Sequence, residues 1–418
     1  MSAIVTDASK RVGLSIVRSL GRGGVNVTAA DTRHVATAFF SKYCKHRVTY
    51  APPELSSDNF IASMLALVKK RRYDVLIPYS DLVMISISRS LSKFLPYVRV
   101  PIADHSTIAK AHDKAEVLKI AEQHNIPCPK TYTIREIGEL DGISKNVQYP
   151  VVIKPRASTI WHGEIGATIS VSSENFADSP EQLVDNYRKV HGRSRLPLIQ
   201  EYVPGDGYGV SALLNDSDPR AVFVHKRLRE YPVTGGASTL RVSISYPELR
   251  DLGLRMLKAL NWHGVAMVEF KLDTRDNTPK LMEVNGRFWG SLALAICSGV
   301  DFPYLLYKMA ADGDTERVFD YKIGVKCRWL IPGDMLSLLD ALKRSRDRWK
   351  TVLEFLRFYE PDLHYDEFST DDPWPVIGAT IVGLQDFCDT LRGKRSVLGE
   401  YVQKQDENRK YAYHNRAT

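Results

Sequence analysis

Apolar and polar positions change period repeatedly along the first hundred residues. Ala3, Ile4, Val5 and Thr6 make a short extended run, and the turn Asp7-Ala8-Ser9 behind it is expected to cap a helix. Val12, Ile16, Val17 and Leu20 recur at helical spacing, and Gly21, Gly23 and Gly24 end that helix. A second strand is expected over 26–31, ending at Asp31. A second helix runs through Phe60, Met64, Leu67 and Val68, and a further strand through Val75, Leu76, Ile77 and Pro78. This rhythm predicts an open parallel sheet covered by helices on both faces. Such sheets bind ligands beyond the carboxyl ends of their strands, which points to residues 7–11, Asp31 and 79–81. A dinucleotide site is not indicated, because Thr6-Asp7-Ala8-Ser9 stands where a glycine fingerprint is needed. Asp31 reads as a solvated turn residue.

After Asp113 the pattern changes. Asp113-Lys114 opens a helix through Val117, Leu118 and Ala121 that Asn125 and Pro127 end. Two strands follow, over 149–155 with Lys154 near its end, and over 198–205 running into a turn. Residues 265–271 and 280–286 read as paired strands joined by a polar turn. Further on, Leu338, Leu339, Leu342, Trp349, Leu353 and Leu356 indicate a helical region rich in Lys and Arg. The stretch 361–375 reads as a loop, and the polar tail 403–418 is expected to fray. The expected division is an N-terminal α/β domain (1–110), a second α+β domain (111–312) and a C-terminal extension (313–418).

Composition narrows the classes. The 418 residues are 44% hydrophobic and 25% charged, a globular balance that allows two or three packed units. Five scattered cysteines form neither a disulfide framework nor a zinc pattern. No apolar run is long enough for a membrane span, and nothing at the N-terminus reads as a signal peptide, so a cytoplasmic location is the expectation. The net charge of +8 is spread among acids without a nucleic-acid-binding signature. It is read as solvated surface plus a phosphate site. The basic stretch 343–357 is expected to pack on the core, with an anionic membrane surface as the alternative partner.

Three residues conflict with their surroundings. Glu283 and Asn285 are two apart on an otherwise apolar strand, so they share a face, and Glu269 on the neighbouring strand can join them. Buried carboxylates without a cation would cost several kcal/mol. Two carboxylates and an amide oxygen form a hard ligand set suited to Mg²⁺ that already carries phosphate oxygens. Lys154 ends an apolar strand, where phosphate oxygens would compensate its charge. Lys114, Lys226, Arg227, Arg241 and Arg287 are further cations available for a triphosphate and a carboxylate. Gly163 and Gly166, in a loop with Trp161 and His162, are candidates to close over phosphates.

Together these segments, from residue 1 to about 310, resemble the ATP-grasp superfamily. The nearest likeness is to its carboxylate-amine ligases, which are similar to the carbamoyl phosphate synthase large chain and biotin carboxylase. The resemblance implies an open α/β domain followed by two α+β subdomains that grip ATP. Lys114 and Lys154 then match the nucleotide lysines. Gln200, Glu201, Tyr202 and Val203 match the hinge that reads the adenine edge, and Asp206 shares the ribose role. Glu269, Glu283 and Asn285 match the metal ligands. Arg287 matches the residue that holds the acceptor carboxylate, and Lys226 a cation facing the γ-phosphate; Arg241 is a further candidate catalytic cation from the residues themselves. The segment 161–166 departs from the dense glycine run of the family, and the last hundred residues match no pattern.

The implied reaction uses ATP and Mg²⁺ to activate a carboxylate as an acyl phosphate, which an amine captures. Its partners are small-molecule acids and amines, and related enzymes point to a homodimer. The alternatives are a bicarbonate-dependent carboxylase or carbamoyl-phosphate-type reaction on the same fold, and a nucleotide-binding regulatory protein without turnover.

Overall fold

The structure, a computed structural model, describes residues 1–169, 172–232, 235–345 and 347–392; the tail 403–418 lies outside them. Strands β1 (Ser2–Val5), β2 (Asn26–Asp31), β3 (Cys44–Thr49) and β4 (Val75–Ile77) form a parallel sheet in the order β3-β2-β1-β4. Ala3 and Val5 face one core with residues of the helix Arg11–Arg22. Ile4 faces another with Phe60 and Met64 of the helix Ser57–Lys70. Burial on both faces is what an apolar parallel strand requires.

The turn after β1 departs from expectation. The helix is preceded by Lys10 and has no side-chain cap. Asp7 instead adopts a left-handed φ of 55°. Its carboxylate accepts from Thr6 Oγ1 (2.7 Å) and Ser80 N (3.2 Å), tying β1 to the loop after β4. Asp31 is buried, not solvated, because the amides of Ser9 (2.6 Å) and Arg33 (2.9 Å) donate to it.

Next come β5 (Thr131–Tyr132), β6 (Val151–Lys154), β7 (Thr159–His162), β8 (Ile165–Thr168), β9 (Phe176–Ala177) and β10 (Leu198–Glu201). β7 and β8 pair as a separate hairpin, and the others form an antiparallel sheet, β5-β10-β6-β9. Val151, Ile153 and Ile199 pack there on Leu183 and Tyr187 of the helix Pro180–His191.

The largest sheet contains β11 (Gly207–Asn215), β12 (Asp218–Tyr231), β13 (Ala237–Ser243), β14 (Gly264–Leu272), β15 (Pro279–Asn285), β16 (Lys326–Arg328) and β17 (Leu363–Tyr365). Their order is β15-β14-β11-β12-β13-β16-β17. One face, with Val210, Ala212, Val224 and Val268, packs on Met256 and Leu257 of the helix Pro247–Ala259. The opposite face divides in two. Leu213, Phe223, Val265 and Met267 join the core that the N-terminal sheet also enters, and beyond them the face becomes polar.

β17 arises within the stretch read as a loop, by parallel pairing with β16. The helices Met335–Arg344 and Arg348–Phe355 follow β16, and the first packs against β12. The helix Pro375–Leu391, not among the expected elements, packs on residues 37–40: a Cβ at Gly378 would lie 2.6 Å from Phe40 Cδ2. Among the described residues no helix is long and apolar enough to cross a membrane.

One arginine clasps the first helix to the stretch 366–372. Arg18 donates to Asp372 Oδ2 (2.9 Å), to the carbonyls of Asp366 (3.2 Å) and Glu367 (2.9 Å), and to that of Asp372 (2.6 Å). Ser41 Oγ (2.7 Å) and Lys42 N (2.9 Å) complete the shell of Asp372, which is fully buried. Arg18→Ala would leave that carboxylate without its cation, so a loss of about 3–5 kcal/mol is expected in chemical denaturation of the full chain. A loss below about 1 kcal/mol, the range of an exposed pair, would show that the clasp carries little.

Candidate active site

Residues directly across neighbouring strands share a face, so the register builds the site. Glu283 pairs with Glu269, Glu269 with Gly209, and Gly209 with His225. One step towards β10, Lys271 pairs with Gly207, Arg227 with Arg241, and Arg241 with Cys327. The two glycines of β11 keep this face open. A Cβ at Gly209 would lie 2.3 Å from His225 Cε1, and one at Gly207 would lie 2.9 Å from Arg227 Cδ.

The three residues singled out as metal ligands come together. Asn285 Nδ2 lies 3.0 Å from Glu269 Oε1 and 3.3 Å from Glu283 Oε1. Lys114 Nζ, at the start of the helix Lys114–Gln123, is 3.3 Å from Glu283 Oε2. That helix is fixed to the end of β6, where Arg156 pairs with the capping Asp113 (2.8 Å) and accepts Lys114 N at its carbonyl (2.8 Å). Lys154 projects from β6 towards the same carboxylates, and Arg227 forms a close ion pair with Glu269.

The charges perturb one another. Burial raises the Glu269 carboxyl above its ordinary range, against the pull of Arg227. Burial acts on Glu283 in the same sense, but Lys114 and Lys154 outweigh it and hold that carboxyl at about 2. Burial lowers the Lys154 ammonium to about 8; Glu283 opposes this, and Lys114 and Lys271 reinforce it. His225, buried beside Arg227 and Arg241, falls to about 3 and is neutral at pH 7.

Among the described residues no three His, Cys, Asp or Glu side chains are arranged to hold a metal ion. Two crowded carboxylates with one amide oxygen fit a cation that brings phosphate and water oxygens of its own. Asn285 Oδ1 faces Arg287 Nη2 at 3.4 Å, and a half-turn about its last torsion directs that oxygen to the carboxylates.

Arg287 lies beside this group with its guanidinium already engaged. Its Nε donates to Asp81 Oδ1 (2.8 Å) and its Nη1 to the Phe288 carbonyl (2.9 Å), and Tyr79 lies 5.9 Å below. Residues 79–81, read as a ligand-facing strand end, thus reach the site through Arg287. In the segment read as the hinge, Glu201 accepts from Lys130 N (2.8 Å) and Arg275 (3.1 Å). Gln200 is buried and donates to Thr131 Oγ1 (2.9 Å), while the Val203 carbonyl accepts from Lys271 Nζ (3.0 Å). Tyr202 lies under the same ammonium at 5.1 Å.

Two expected cations are elsewhere. Lys226 projects from the reverse face of β12, because Phe223, His225 and Arg227 occupy the site side. It pairs there with Asp206 (2.6 Å), which is thereby also engaged away from the carboxylates. Arg241 is on the site face but fully buried three strands from Glu269, in a close pair with Asp366. The cation that the fold brings to Glu269 is Arg227. Alternation from buried Phe223 was the signal that separated it from Lys226. Asp81 falls in the strand end 79–81 that the parallel-sheet pattern singled out, whereas Lys271 carried no local signal. The loop around Gly163 forms the tip of the β7–β8 hairpin and rests on the N-terminal unit, with Ser57 N donating to the Glu164 carbonyl (3.1 Å) and Arg89 over Trp161 (4.7 Å). The His162 side chain lies outside the described residues.

Known proteins share this architecture. A family model described as ATP-grasp in the biosynthetic pathway with Ter operon matches residues 194–331. The D-aspartate ligase of Enterococcus faecium is 25% identical over 249 residues, 54% of this chain and 58% of that protein. The carbamoyl phosphate synthase large chain of Pyrococcus furiosus is 23% identical over 288 residues, 66% of this chain but 25% of that protein. The chain therefore spans less than two thirds of the curated relatives it matches. Among solved structures, the biotin carboxylase domain of Hydrogenobacter thermophilus 2-oxoglutarate carboxylase, in complex with MgADP, ADP and bicarbonate, superposes with a TM-score of 0.61 at 14% identity. That match covers 78% of this chain and 73% of the other. The L-amino acid ligase of Bacillus licheniformis gives 0.56 at 15% identity, covering 74% of each chain. The fold is shared with these solved structures, and the segment 194–331, which carries β11 to β16 with both glutamates and Asn285, matches the ATP-grasp family model.

Proposed function

We propose that the chain is an ATP- and Mg²⁺-dependent ligase that activates a carboxylate as an acyl phosphate and joins it to an amine. The observation that carries this reading is the convergence of Glu269, Glu283 and Asn285 with Lys114, Lys154 and Arg227 on one enclosed sheet face. Two carboxylates would hold the metal, and the lysines would meet phosphate oxygens. Mg²⁺ held there would offset negative charge on the triphosphate. The substrate carboxylate attacks the γ-phosphorus, the bond to the bridging oxygen breaks, and ADP leaves. The amine then attacks the acyl carbon and phosphate departs. The chain's own part is positioning and electrostatic support, as in other phosphoryl transfers.

Arg287 is the residue assigned to the acid. Asp81 orients its guanidinium, and two of the three nitrogens remain directed at Asn285 and the Phe288 carbonyl, next to the metal group. The D-aspartate and L-amino acid ligases among the relatives make amino acids the first acids and amines to test.

Two predictions follow from the division of roles. Glu283→Gln removes charge but not size, so turnover should fall by about two orders of magnitude or more. Arg287→Lys should keep ATP affinity within about threefold while abolishing acid-dependent phosphate release, since an ammonium lacks the bidentate fork. The assay is phosphate release over a panel of amino acids, with bicarbonate as a separate arm. Release that depends on bicarbonate alone would move the reaction to carboxylation, and normal turnover by Glu283→Gln would remove the metal site.

The third concerns pH. With its folded value depressed to about 8, Lys154 loses its proton as pH rises through 8, and a triphosphate binds the charged form. ATP affinity should be level below pH 7, then weaken towards roughly tenfold per unit above 8. Calorimetry should show proton uptake on binding at pH 8.5. A level profile from pH 7 to 9, or the same slope in Lys154→Arg, would refute the assignment.

A further inference from the structure

A large cavity lies beside the site. Two smaller spaces adjoin the carboxylate group: one by Asp81, His112 and Glu283 of about 20 Å³, one by Arg287 of about 10 Å³. Each is the size of one water. At the other end of the same face, a cavity of about 370 Å³ begins at Gly207, Arg227 and Lys271. That is within the range of small-molecule sites. Arg227 belongs to both regions, because the guanidinium lining this cavity also pairs with Glu269.

The wall opposite the sheet comes from the C-terminal extension. Ser337, Leu338 and Ala341 of the helix Met335–Arg344 line it with Thr351, Glu354 and Phe355 of the helix Arg348–Phe355. This helical pair is fixed in place. Asp334, fully buried, accepts from Arg328 Nε (2.6 Å) and Thr239 Oγ1 (2.9 Å) and pairs with Arg229 (2.9 Å). Arg328 Nη2 donates onward to the Phe355 carbonyl (2.8 Å), and Ser337 Oγ donates to the Glu230 carbonyl (3.0 Å). The strands β12, β13 and β16 supply the anchoring Arg229, Glu230, Thr239 and Arg328, while both helices of the wall follow the end of the family match at residue 331.

We infer that the C-terminal helical pair forms the outer wall of the pocket for the nucleoside half of ATP, so that residues of the extension determine nucleotide affinity and selectivity. This rests on the proposal that the triphosphate lies at Lys114, Lys154 and the two glutamates. With the phosphates there, the nucleoside must extend from one end of the face, and only the Arg227–Lys271 end has room among the three cavities described. The lining fits such a group. Arg227 and Lys271 stand at the phosphate end. Carboxylates of Glu230 and Glu354 can receive sugar hydroxyls, and Leu338, Ala341 and Phe355 offer apolar surface to a ring. Cations and acids balance along this lining, which suits an uncharged polyhydroxyl ring system better than a second polyanion.

The test uses the full chain and two probes, MgATP and magnesium tripolyphosphate, which has phosphates but no nucleoside. Ala341→Trp fills the cavity, and Glu354→Ala changes its exposed rim without adding bulk. Ala341→Trp should weaken MgATP at least tenfold and Glu354→Ala at least threefold in calorimetry, with tripolyphosphate unchanged within twofold for both. Equal loss of both probes in Glu354→Ala, or MgATP binding unchanged in both variants, overturns the inference. So does unchanged MgATP affinity with a raised KM for the acid or amine, which would give the cavity to the second substrate. If the unmodified chain binds neither probe, the phosphate site falls and this inference with it.

Discussion

Everything at the site depends on charges that the protein alone compensates incompletely. Glu269 and Glu283 lie within reach of one amide, on an enclosed face where each carboxylate loses hydration. Lys114 and Arg227 each pair with one of them, and Lys154 adds a third cation whose charge is itself disfavoured by burial. Such a cluster is costly in isolation, since desolvation can exceed the attraction between the partners. A divalent cation with a triphosphate supplies the missing terms in both directions, opposing the carboxylates with metal and the lysines with phosphate. The strain in the free protein is thus the counterpart of the ligand it is built to take.

The same sheet face serves packing and chemistry, and β11 decides where one gives way to the other. Its even-numbered residues, Val210, Ala212 and Leu214, bury against the helix on the reverse side. Leu213 at one end packs on the N-terminal unit, while Gly207 and Gly209 at the other leave room for Arg227, His225 and the carboxylates. The N-terminal unit then contributes Asp81 to orient Arg287, and the clasp of Arg18 on Asp372 holds the stretch 366–372 against it. The extension is therefore integral to the fold, at its N-terminal face through Arg18 and at β12 through Ser337.

Much of this was legible in the sequence where a residue contradicts its setting. Glu283 and Asn285 stood out because polar atoms two apart on an apolar strand share a face that needs a partner. Lys154 stood out for the same reason. The parallel N-terminal strands were plain from their unbroken apolar runs. Other features depend on register, which a single strand does not reveal. Choosing Lys226 over Arg227 misses by one residue, and one residue moves a side chain to the opposite face. β12 itself carries Lys226, Arg227, Arg229 and Glu230 in near succession and is bulged between Arg227 and Glu230, so its alternation is broken where it matters. Asp81 meets Arg287 across 206 positions of sequence. β17 is three residues long and exists only because β16 offers an edge. The helix Pro375–Leu391 had one local sign, a proline at its first turn.

The central claim is that the site makes an acyl phosphate from the substrate acid. It is tested most directly by oxygen transfer. With an acid that supports phosphate release, labelled with ¹⁸O in its carboxylate, one carboxylate oxygen stays with phosphorus when the amine displaces phosphate. Mass spectrometry of the inorganic phosphate should then find one ¹⁸O per phosphate released in the presence of acid, amine, ATP and Mg²⁺. Phosphate carrying no label, with the amide product formed all the same, would contradict the account.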